Sequence, residues 1–296
     1  MPSFRSSKAQ SRHAVSQKVD LGSGRHNNRD DGKIHSVGTA RGYEQSLKGT
    51  AEFMLENRLG NLRNLTVDIA HQYLEARASS VSQKTLDLDR QAMQMHLGQK
   101  LEVVKSERET QLSTRSYTAV QVDRIVSAQS ERNGLATQVA HSAGLRAHEL
   151  LTIRQLDERQ ASTHREWSAS RFAGREGVRY TVEGKGGLIR EVLLPKDLAN
   201  RLEATRLTEP RQVVDRGINY TQHYGIGGGR AWSQSFSAAS QRELGFSNGA
   251  HGLRHSYAQE RLDELQGRGM GYESAKATVA QEVGHFDSST TEAYLR

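Results

Sequence analysis

The segment from Ala250 to Arg261, AHGLRHSYAQER, places a histidine and an arginine where both can act on one phosphate group. His251 and Arg254 lie three residues apart at the start of a predicted helix, and positions three apart share one helical face. The planar guanidinium group of an arginine forms two charge-assisted hydrogen bonds, and an imidazole gives or takes a proton. The pair therefore predicts a site for an anionic phosphate, with partners from elsewhere in the chain.

Three other segments supply residues that suit the same chemistry. Arg146 follows the break at Gly144, and we expect it in the first turn of the next helix, where backbone N–H groups favour an anion. Lys185 lies in a glycine turn between the runs RYTVE and LIREVLL, which predicts a β-hairpin with the lysine at its tip. His285 and Tyr294 lie near the end of the chain, where Asp287 or Ser288 can cap a short helix.

In type and order these residues resemble the active site of the tyrosine recombinases, also called phage-type integrases. The matching motifs are Gly144-Leu145-Arg146 with Glu149-Leu150, Gly184-Lys185-Gly186, His251-Gly252-Leu253-Arg254-His255, and Gly284-His285 with Tyr294 nine residues later. The resemblance covers the chain from Tyr117 to its end. One mild departure is Val283, which stands where the family usually has leucine.

The resemblance implies an enzyme that cleaves and rejoins double-stranded DNA through a 3′-phosphotyrosine. It also implies the following roles: Tyr294 is the nucleophile, His251 is its base, Lys185 protonates the leaving 5′-oxygen, Arg146, Arg254 and His285 bind phosphate oxygens, and Glu149 orients a neighbouring arginine. Free tyrosine has a pKa near ~10, so the guanidinium charges and the base must promote its ionisation. This chemistry needs no metal and no cofactor, and we expect neither.

Two alternatives to a site-specific recombinase remain open. A type IB topoisomerase resembles the set in its Arg, Lys, His and Tyr chemistry, but His251 before Arg254 and a separate N-terminal helical domain favour the recombinase. The other alternative is a DNA-binding protein that no longer cuts. For a recombinase of a mobile element, the resemblance implies a dimer on each DNA site, a tetramer in the synapse, and accessory DNA-bending or directionality proteins.

Composition agrees with a protein that binds nucleic acid. Lysine and arginine number 41 against 34 acidic residues, and the pI is near 9.7. The absence of cysteine excludes disulfides and thiolate metal sites. The sequence has no signal peptide and no apolar run of ~18 residues. We therefore expect a cytoplasmic protein without a membrane segment.

The 296 residues suit two domains, and we expect a mainly α fold with a small β-sheet, arranged as a two-domain clamp around DNA. Residues 1–35 carry seven basic and three acidic residues without apolar periodicity, which predicts a flexible basic arm. Residues 36–112 predict a helical domain with its linker, which the resemblance implies is the SAM-like core-binding domain, and residues 113–296 are by the same resemblance the catalytic domain. Within the latter, residues 209–230 are expected to form a loop.

The sequence ends two residues after Tyr294, where many members of the family continue into a helix that contacts a neighbouring subunit. We expect that helix to be missing. The basic arm is then expected to hold DNA or a neighbouring subunit in its place.

Overall fold

The computed structural model describes residues 6–21, 31–109 and 114–295, apart from the side chain of Lys185. The chain divides into two compact units, Met1–Leu112 and Ser113–Arg296. Helices dominate both units, and the β-strands of the described residues lie in the second unit. The expected fold class, mainly α with a small β-sheet, is confirmed. Among the described helices, none has the length and apolarity to cross a bilayer.

Within its described residues, the N-terminal unit has four helices around one apolar core. They are α1 (Ser7–Ser16), α2 (Val37–Glu56), α3 (Val67–Ala78) and α4 (Gln83–Leu97). Apolar side chains of α2, α3 and α4 supply that core, and Leu47, Met54, Tyr73, Leu86 and Met93 are all buried in it. The aromatic and methionine side chains of this unit therefore serve packing.

The first helix lies within the segment expected to be a flexible arm. The Ser6 side chain caps α1 by accepting a hydrogen bond from the Ala9 N–H at 3.3 Å. Val15 and Ile34 are both buried in the core of the unit, and α1 packs along α2. The expectation is wrong for these residues, because a helix with little apolar periodicity of its own is stabilised by the neighbour that covers it. Residues 1–5 and 22–30 lie outside the described residues.

The C-terminal unit combines helices with two small sheets. Its described helices are α5 (Ala119–Ser127), α6 (Glu131–Ala143), α7 (Lys196–Glu203), α8 (Gly229–Leu244), α9 (Gly252–Gly267) and α10 (Tyr272–Glu282). Its described strands are β1 (Arg154–Gln155), β2 (Val178–Glu183), β3 (Ile189–Leu194), β4 (Arg206–Asp215) and β5 (Ile218–Tyr224). The first three strands form one antiparallel sheet in the order β1-β2-β3.

The predicted hairpin around Lys185 is confirmed. Strands β2 and β3 pair in register from Val178 opposite Leu194 to Glu183 opposite Ile189. Alternate residues of β3 are buried, as expected for a strand with one face on the core. Gly186 in the turn has a φ of 79°, a conformation that glycine adopts without steric cost.

The loop expected over residues 209–230 is wrong for most of its length. Strands β4 and β5 pair into an antiparallel hairpin there, with a register shift between Arg206 and Arg211. Pro210 lies within that irregularity, where a proline removes no ladder hydrogen bond. Because β4 is largely exposed and rich in charged residues, it lacks the apolar alternation that identifies a strand from sequence.

Candidate active site

The start of α9 places His251 and Arg254 as the sequence predicts. His251 occupies the N-cap position, and Arg254 lies in the first turn with its side chain fully buried. The Nη1 atom of Arg254 donates to the Gly144 carbonyl at 2.6 Å, and Nη2 donates to the Val283 carbonyl. Burial and the nearby Arg146 lower the pKa of Arg254 to about 9. The guanidinium group thus stays charged at neutral pH and is fixed between two backbone carbonyls.

Arg146 lies in a turn, and its expected place in the first turn of a helix is wrong. Helix α6 ends at Gly144, whose φ of 58° reverses the chain, and a short 3-10 turn follows at Glu149–Leu151. The position of Arg146 is fixed by the Glu149 carboxylate and not by the geometry of a helix. Its Oε2 accepts from the Arg146 backbone N–H at 2.8 Å, and its Oε1 accepts from Arg146 Nη1 at 2.7 Å.

Glu149 is a buried carboxylate shared by several arginines. Arg190 Nη2 donates to its Oε2 at 2.8 Å, and Arg254 Nη1 lies 3.9 Å from the same oxygen. Burial alone would raise the pKa of Glu149, but the positive charges of Arg190, Arg146 and Arg254 outweigh it and hold the pKa well below its usual range. The acid therefore stays ionised, and the structure supports the expectation that it orients a neighbouring arginine.

His285 contacts Arg146 from the turn after α10. Its Nε2 lies 3.2 Å from Arg146 Nη2, and its Nδ1 lies 3.4 Å from the Thr291 hydroxyl. Because a guanidinium group only donates, Nε2 must accept, and the ring proton belongs on Nδ1. Burial and the charges of Arg254 and Arg146 lower the pKa of His285 to about 3, which agrees with a neutral ring.

Tyr294 ends a 3-10 helix, Ser288–Tyr294, that Asp287 caps as predicted. The ring centroid of Tyr294 lies 5.5 Å from those of both His251 and His285, and 5.6 Å from Arg254 Cζ. Although His251 is exposed, the surrounding protein and the charge of Arg254 lower its pKa to about 4. Four of the other five predicted residues therefore meet around Tyr294, and the histidines among them are neutral at pH 7.

The sixth residue, Lys185, lies at the tip of the β2–β3 hairpin, and its side chain is outside the described structure. The turn of that hairpin contributes Gly184 and Leu188 to a pocket of about 240 Å³ beside Arg146. The pocket is lined by Arg146, Gly184, Leu188, Arg190, Gly284 and His285. The hairpin thus brings the backbone next to Lys185 to the wall that Arg146 and His285 share.

Known structures with the same architecture are site-specific recombinases. The XerH site-specific recombinase in a post-cleavage complex with a palindromic difH substrate has a TM-score of 0.57 and 15% identity, covering 98% of this chain and 90% of that chain. A lambda integrase dimer bound to a COC′ core site has a TM-score of 0.53 and 16% identity, covering 92% and 75%. A lambda integrase tetramer bound to a Holliday junction has a TM-score of 0.53 and 14% identity, covering 97% and 80%. The chain has the tyrosine recombinase fold.

No protein-family model matches the sequence, and no curated protein is significantly similar to it. Solved structures related at this level of identity show the fold of this tyrosine recombinase-like chain.

Sequence reasoning missed three residues that shape the site of this recombinase fold. Arg190 is buried against Glu149, and its Nη1 donates to the Glu282 carbonyl at 2.7 Å. The Glu282 carboxylate binds Arg261 and accepts from the Tyr257 hydroxyl at 2.7 Å. His255 belongs to a matching motif that assigns it no role, yet its ring is the closest of the three histidine rings to Tyr294. A charged residue inside an apolar strand run, as in LIREVLL, is the signal that points to Arg190.

Two groups of acids and histidines have the composition of a metal site. The first group is the pair of neighbours His148 and Glu149, in which both carboxylate oxygens of Glu149 are hydrogen-bonded to arginines. In the N-terminal unit, potential ligand atoms of Asp20, Asp31 and His35 lie within 4.8 Å of one another. There, His35 Nδ1 is 2.9 Å from the Asp20 carbonyl and Nε2 is 3.0 Å from Asp31 Oδ1, so hydrogen bonds account for the grouping.

Proposed function

We propose that this protein is a site-specific DNA recombinase that cleaves and rejoins DNA through a covalent 3′-phosphotyrosine. The observation that carries the proposal is the convergence of two arginines and three histidines around the side chain of Tyr294. A nucleophile surrounded by cations and neutral imidazoles suits attack on an anionic phosphodiester. The likeness of the fold to recombinases in complex with DNA supports the same conclusion.

Phosphate binding is the first step of the proposed mechanism. Arg146 borders the pocket together with His285, and its carboxylate partner fixes the direction of its guanidinium group. Arg254 adds a second positive charge beside the Tyr294 ring. Attack on phosphorus concentrates negative charge on the non-bridging oxygens, and two fixed cations stabilise that charge without reorganising.

Proton transfer from Tyr294 is the second step. The phenol oxygen forms a bond to phosphorus as the bond from phosphorus to the 5′-oxygen breaks, and the phenol proton passes to His251. Burial and positive charge keep the pKa of His251 at about 4 in the free protein. An incoming phosphate offsets that charge and raises the pKa of His251, so DNA binding itself makes the base stronger.

The leaving 5′-oxygen takes its proton from Lys185. The ammonium group belongs to a residue at the tip of a glycine turn next to the pocket wall, a position from which a long side chain can extend toward the bound phosphate. The covalent phosphotyrosine conserves the energy of the broken bond. A 5′-hydroxyl from a second DNA strand then reverses the step and regenerates Tyr294. Neither metal nor nucleotide takes part.

Recombination between two sites requires several subunits. We propose a dimer on each DNA site and a tetramer in the synapse, acting in integration or excision of a mobile element with accessory DNA-bending or directionality proteins. Lambda integrase structures are described as a dimer on a core site and a tetramer on a Holliday junction, which supports this assembly.

The decisive experiment mixes the protein with a nicked suicide duplex of the DNA that flanks its gene. We expect a covalent protein–DNA adduct with the wild type, and with Tyr294→Phe unchanged DNA affinity but no adduct. The control is Tyr272→Phe, because Tyr272 is exposed and its ring packs against Lys276. An adduct in Tyr294→Phe contradicts the nucleophile. Strand exchange between two sites, against relaxation of supercoils alone, separates a recombinase from a topoisomerase.

The role of Lys185 has a test of its own. A substrate with a 5′-thiol leaving group needs little protonation, so it should restore cleavage to Lys185→Ala far more than to Arg146→Ala. Rates of adduct formation on oxygen and sulfur substrates give the comparison. Equal restoration of both variants would exclude Lys185 as the general acid.

A further inference from the structure

His255 lies one helical turn after His251 and is the histidine nearest to the nucleophile. Its ring centroid is 4.7 Å from that of Tyr294, against 5.5 Å for His251. Only 7% of the surface of His255 is exposed. The residue thus belongs to the wall of the Tyr294 pocket, and the mechanism proposed above gives it no task.

The Nδ1 atom of His255 is buried without a hydrogen-bond partner among the residues that the structure describes. A buried polar atom without a partner loses its hydrogen bond to water and receives nothing in return. An apolar residue of similar size would fill the same space without that cost. The imidazole at this position therefore requires an explanation other than packing.

The ring of Tyr294 lies against that of His255, and its hydroxyl can supply the missing partner. Among the described residues, no hydrogen bond of this hydroxyl is found, and the Tyr294 segment is held by its backbone carbonyl, which accepts from Gln259 Nε2 at 3.0 Å. The Nη1 and Nη2 atoms of Arg254 donate to two carbonyls, and its Nε, which has no partner among the described residues, can only donate and so cannot accept from an imidazole N–H. Burial and the charges of Arg115 and Arg254 keep His255 neutral, with its pKa lowered to about 4, so one ring nitrogen carries a proton that it can donate.

We propose that His255 is a positioning residue for the nucleophile, whose Nδ1–H donates a hydrogen bond to the Tyr294 hydroxyl oxygen and aims that oxygen at the scissile phosphorus, while the phenol proton stays available to His251. The neutral ring then has its lone pair on Nε2. His251 remains the base, and His255 acts through Tyr294 by fixing the phenol rotamer before attack. The inference rests on the proposed function, since it assigns a partner to the same nucleophile.

Three substitutions test the assignment. Leucine retains an apolar side chain without hydrogen-bonding atoms, asparagine places an amide near the position of Nδ1, and glutamine places one near Nε2. We expect His255→Leu to bind DNA with unchanged affinity and to unfold at the same or a higher temperature, because an unsatisfied polar atom is removed. The rate at which this variant forms the adduct in a single turnover should nevertheless fall by about 100-fold, which lies within the range that a positioned proton-bonding group contributes to a rate. His255→Asn should recover to within about 10-fold of wild type, and His255→Gln should not.

His223 on β5 provides the matched control. Its Nε2 is also buried without a partner among the described residues, and its pKa is also lowered, but it lies on a different element from the Tyr294 pocket. We expect His223→Leu to keep both stability and the rate of adduct formation.

Cleavage by His255→Leu at the wild-type rate would overturn the inference. If that variant fails to fold, equal rates for His255→Asn and His255→Gln, or a faster rate with glutamine, would overturn it as well. Failure of the proposed function would be distinguishable from failure of this inference, because the wild-type protein itself would then form no adduct.

Discussion

At the scale of single residues, the candidate site depends on the charge of one buried carboxylate. Glu149 accepts hydrogen bonds from Arg146 and Arg190, and Arg254 lies within 3.9 Å of it. A buried cation is tolerated only when a counter-charge and hydrogen bonds replace its hydration. Glu149 thus allows three guanidinium groups to lie close together without water.

Replacing Glu149 by glutamine should therefore destabilise the C-terminal unit. Removing one partner of a buried ion pair costs about 3–5 kcal/mol, and we expect that loss in denaturant unfolding of Glu149→Gln at pH 7. Because the pKa of Glu149 is lower in the folded than in the unfolded chain, its contribution is complete above the unfolded value, about 4.3, and is lost as the pH falls toward the folded value.

The difference in unfolding free energy between wild type and Glu149→Gln should consequently shrink below about pH 4. A difference that stays constant from about pH 7 to about pH 3 would show that shape, and not charge, is what the carboxylate contributes.

At the scale of elements, two helix ends hold the buried arginines of the candidate site. The C-terminal end of α6 supplies the Gly144 carbonyl to Arg254, and residues at the end of α10 supply the Glu282 and Val283 carbonyls to Arg190 and Arg254. Carbonyls at helix C-termini lack partners within the helix and carry partial negative charge, so they suit guanidinium groups. The positions of α6 and α10 relative to α9 therefore define the site.

Gly144 should tolerate no side chain. Its φ of 58° costs any other residue about 1–2 kcal/mol, and an added Cβ would lie 2.7 Å from Tyr257 Cδ1. Tyr257 cannot easily withdraw, because its hydroxyl is bonded to Glu282. We expect the unfolding free energy of Gly144→Ala to fall by about 1–3 kcal/mol more than the backbone strain alone would cause. Most of the cleavage rate should also be lost, because the carbonyl that holds Arg254 shifts.

Gly245 is the matched position for that measurement. It ends α8 with a φ of 76°, and an added Cβ would meet no described atom within 4 Å. Gly245→Ala should thus show the cost of strain only, with cleavage retained. Equal losses of unfolding free energy in both alanine variants would contradict the proposed clash at Tyr257.

At the scale of the whole molecule, the N-terminal segment has a structural task beside any binding to DNA. Val15 and Ile34 belong to the core of the N-terminal unit, and Arg12 pairs with Glu44 at 3.2 Å. Deleting residues 1–35 removes both buried side chains, each of which contributes about 1.5–3 kcal/mol. We expect the truncated protein to lose stability in its N-terminal unit, as measured by hydrogen exchange or limited proteolysis.

A substitution of charge alone separates DNA binding from packing. Lys8 and Lys18 are exposed on or beside α1, so Lys8→Gln with Lys18→Gln should leave stability unchanged. If the segment lies on phosphates, the slope of log K against log salt flattens by ~0.9 for each phosphate that the variant no longer neutralises. An unchanged slope would show that these lysines contact solvent and not DNA, and that the segment serves the stability of the fold.

The types and local order of the residues were sufficient to predict much of this protein. Motif spacing predicted Tyr294 and four residues that meet around it, and the alternation on both sides of Gly184 predicted the β2–β3 hairpin. The capping residue Asp287 and the helix that begins beside His251 were also predicted. These features depend on side chains and backbone preferences within a few positions of one another, which a sequence displays directly.

Only the tertiary structure decided which groups hold the site in place. Arg190 and Glu149 are 41 positions apart, and no local pattern predicts their pairing. The same holds for His255 beside Tyr294, for α1 on α2, and for the exposed strand β4. A buried charge becomes stable only when a partner from another element replaces its hydration. A weakly apolar helix or strand becomes stable only when a neighbouring element covers it. Both conditions depend on packing between segments distant in the chain, which residue spacing does not contain.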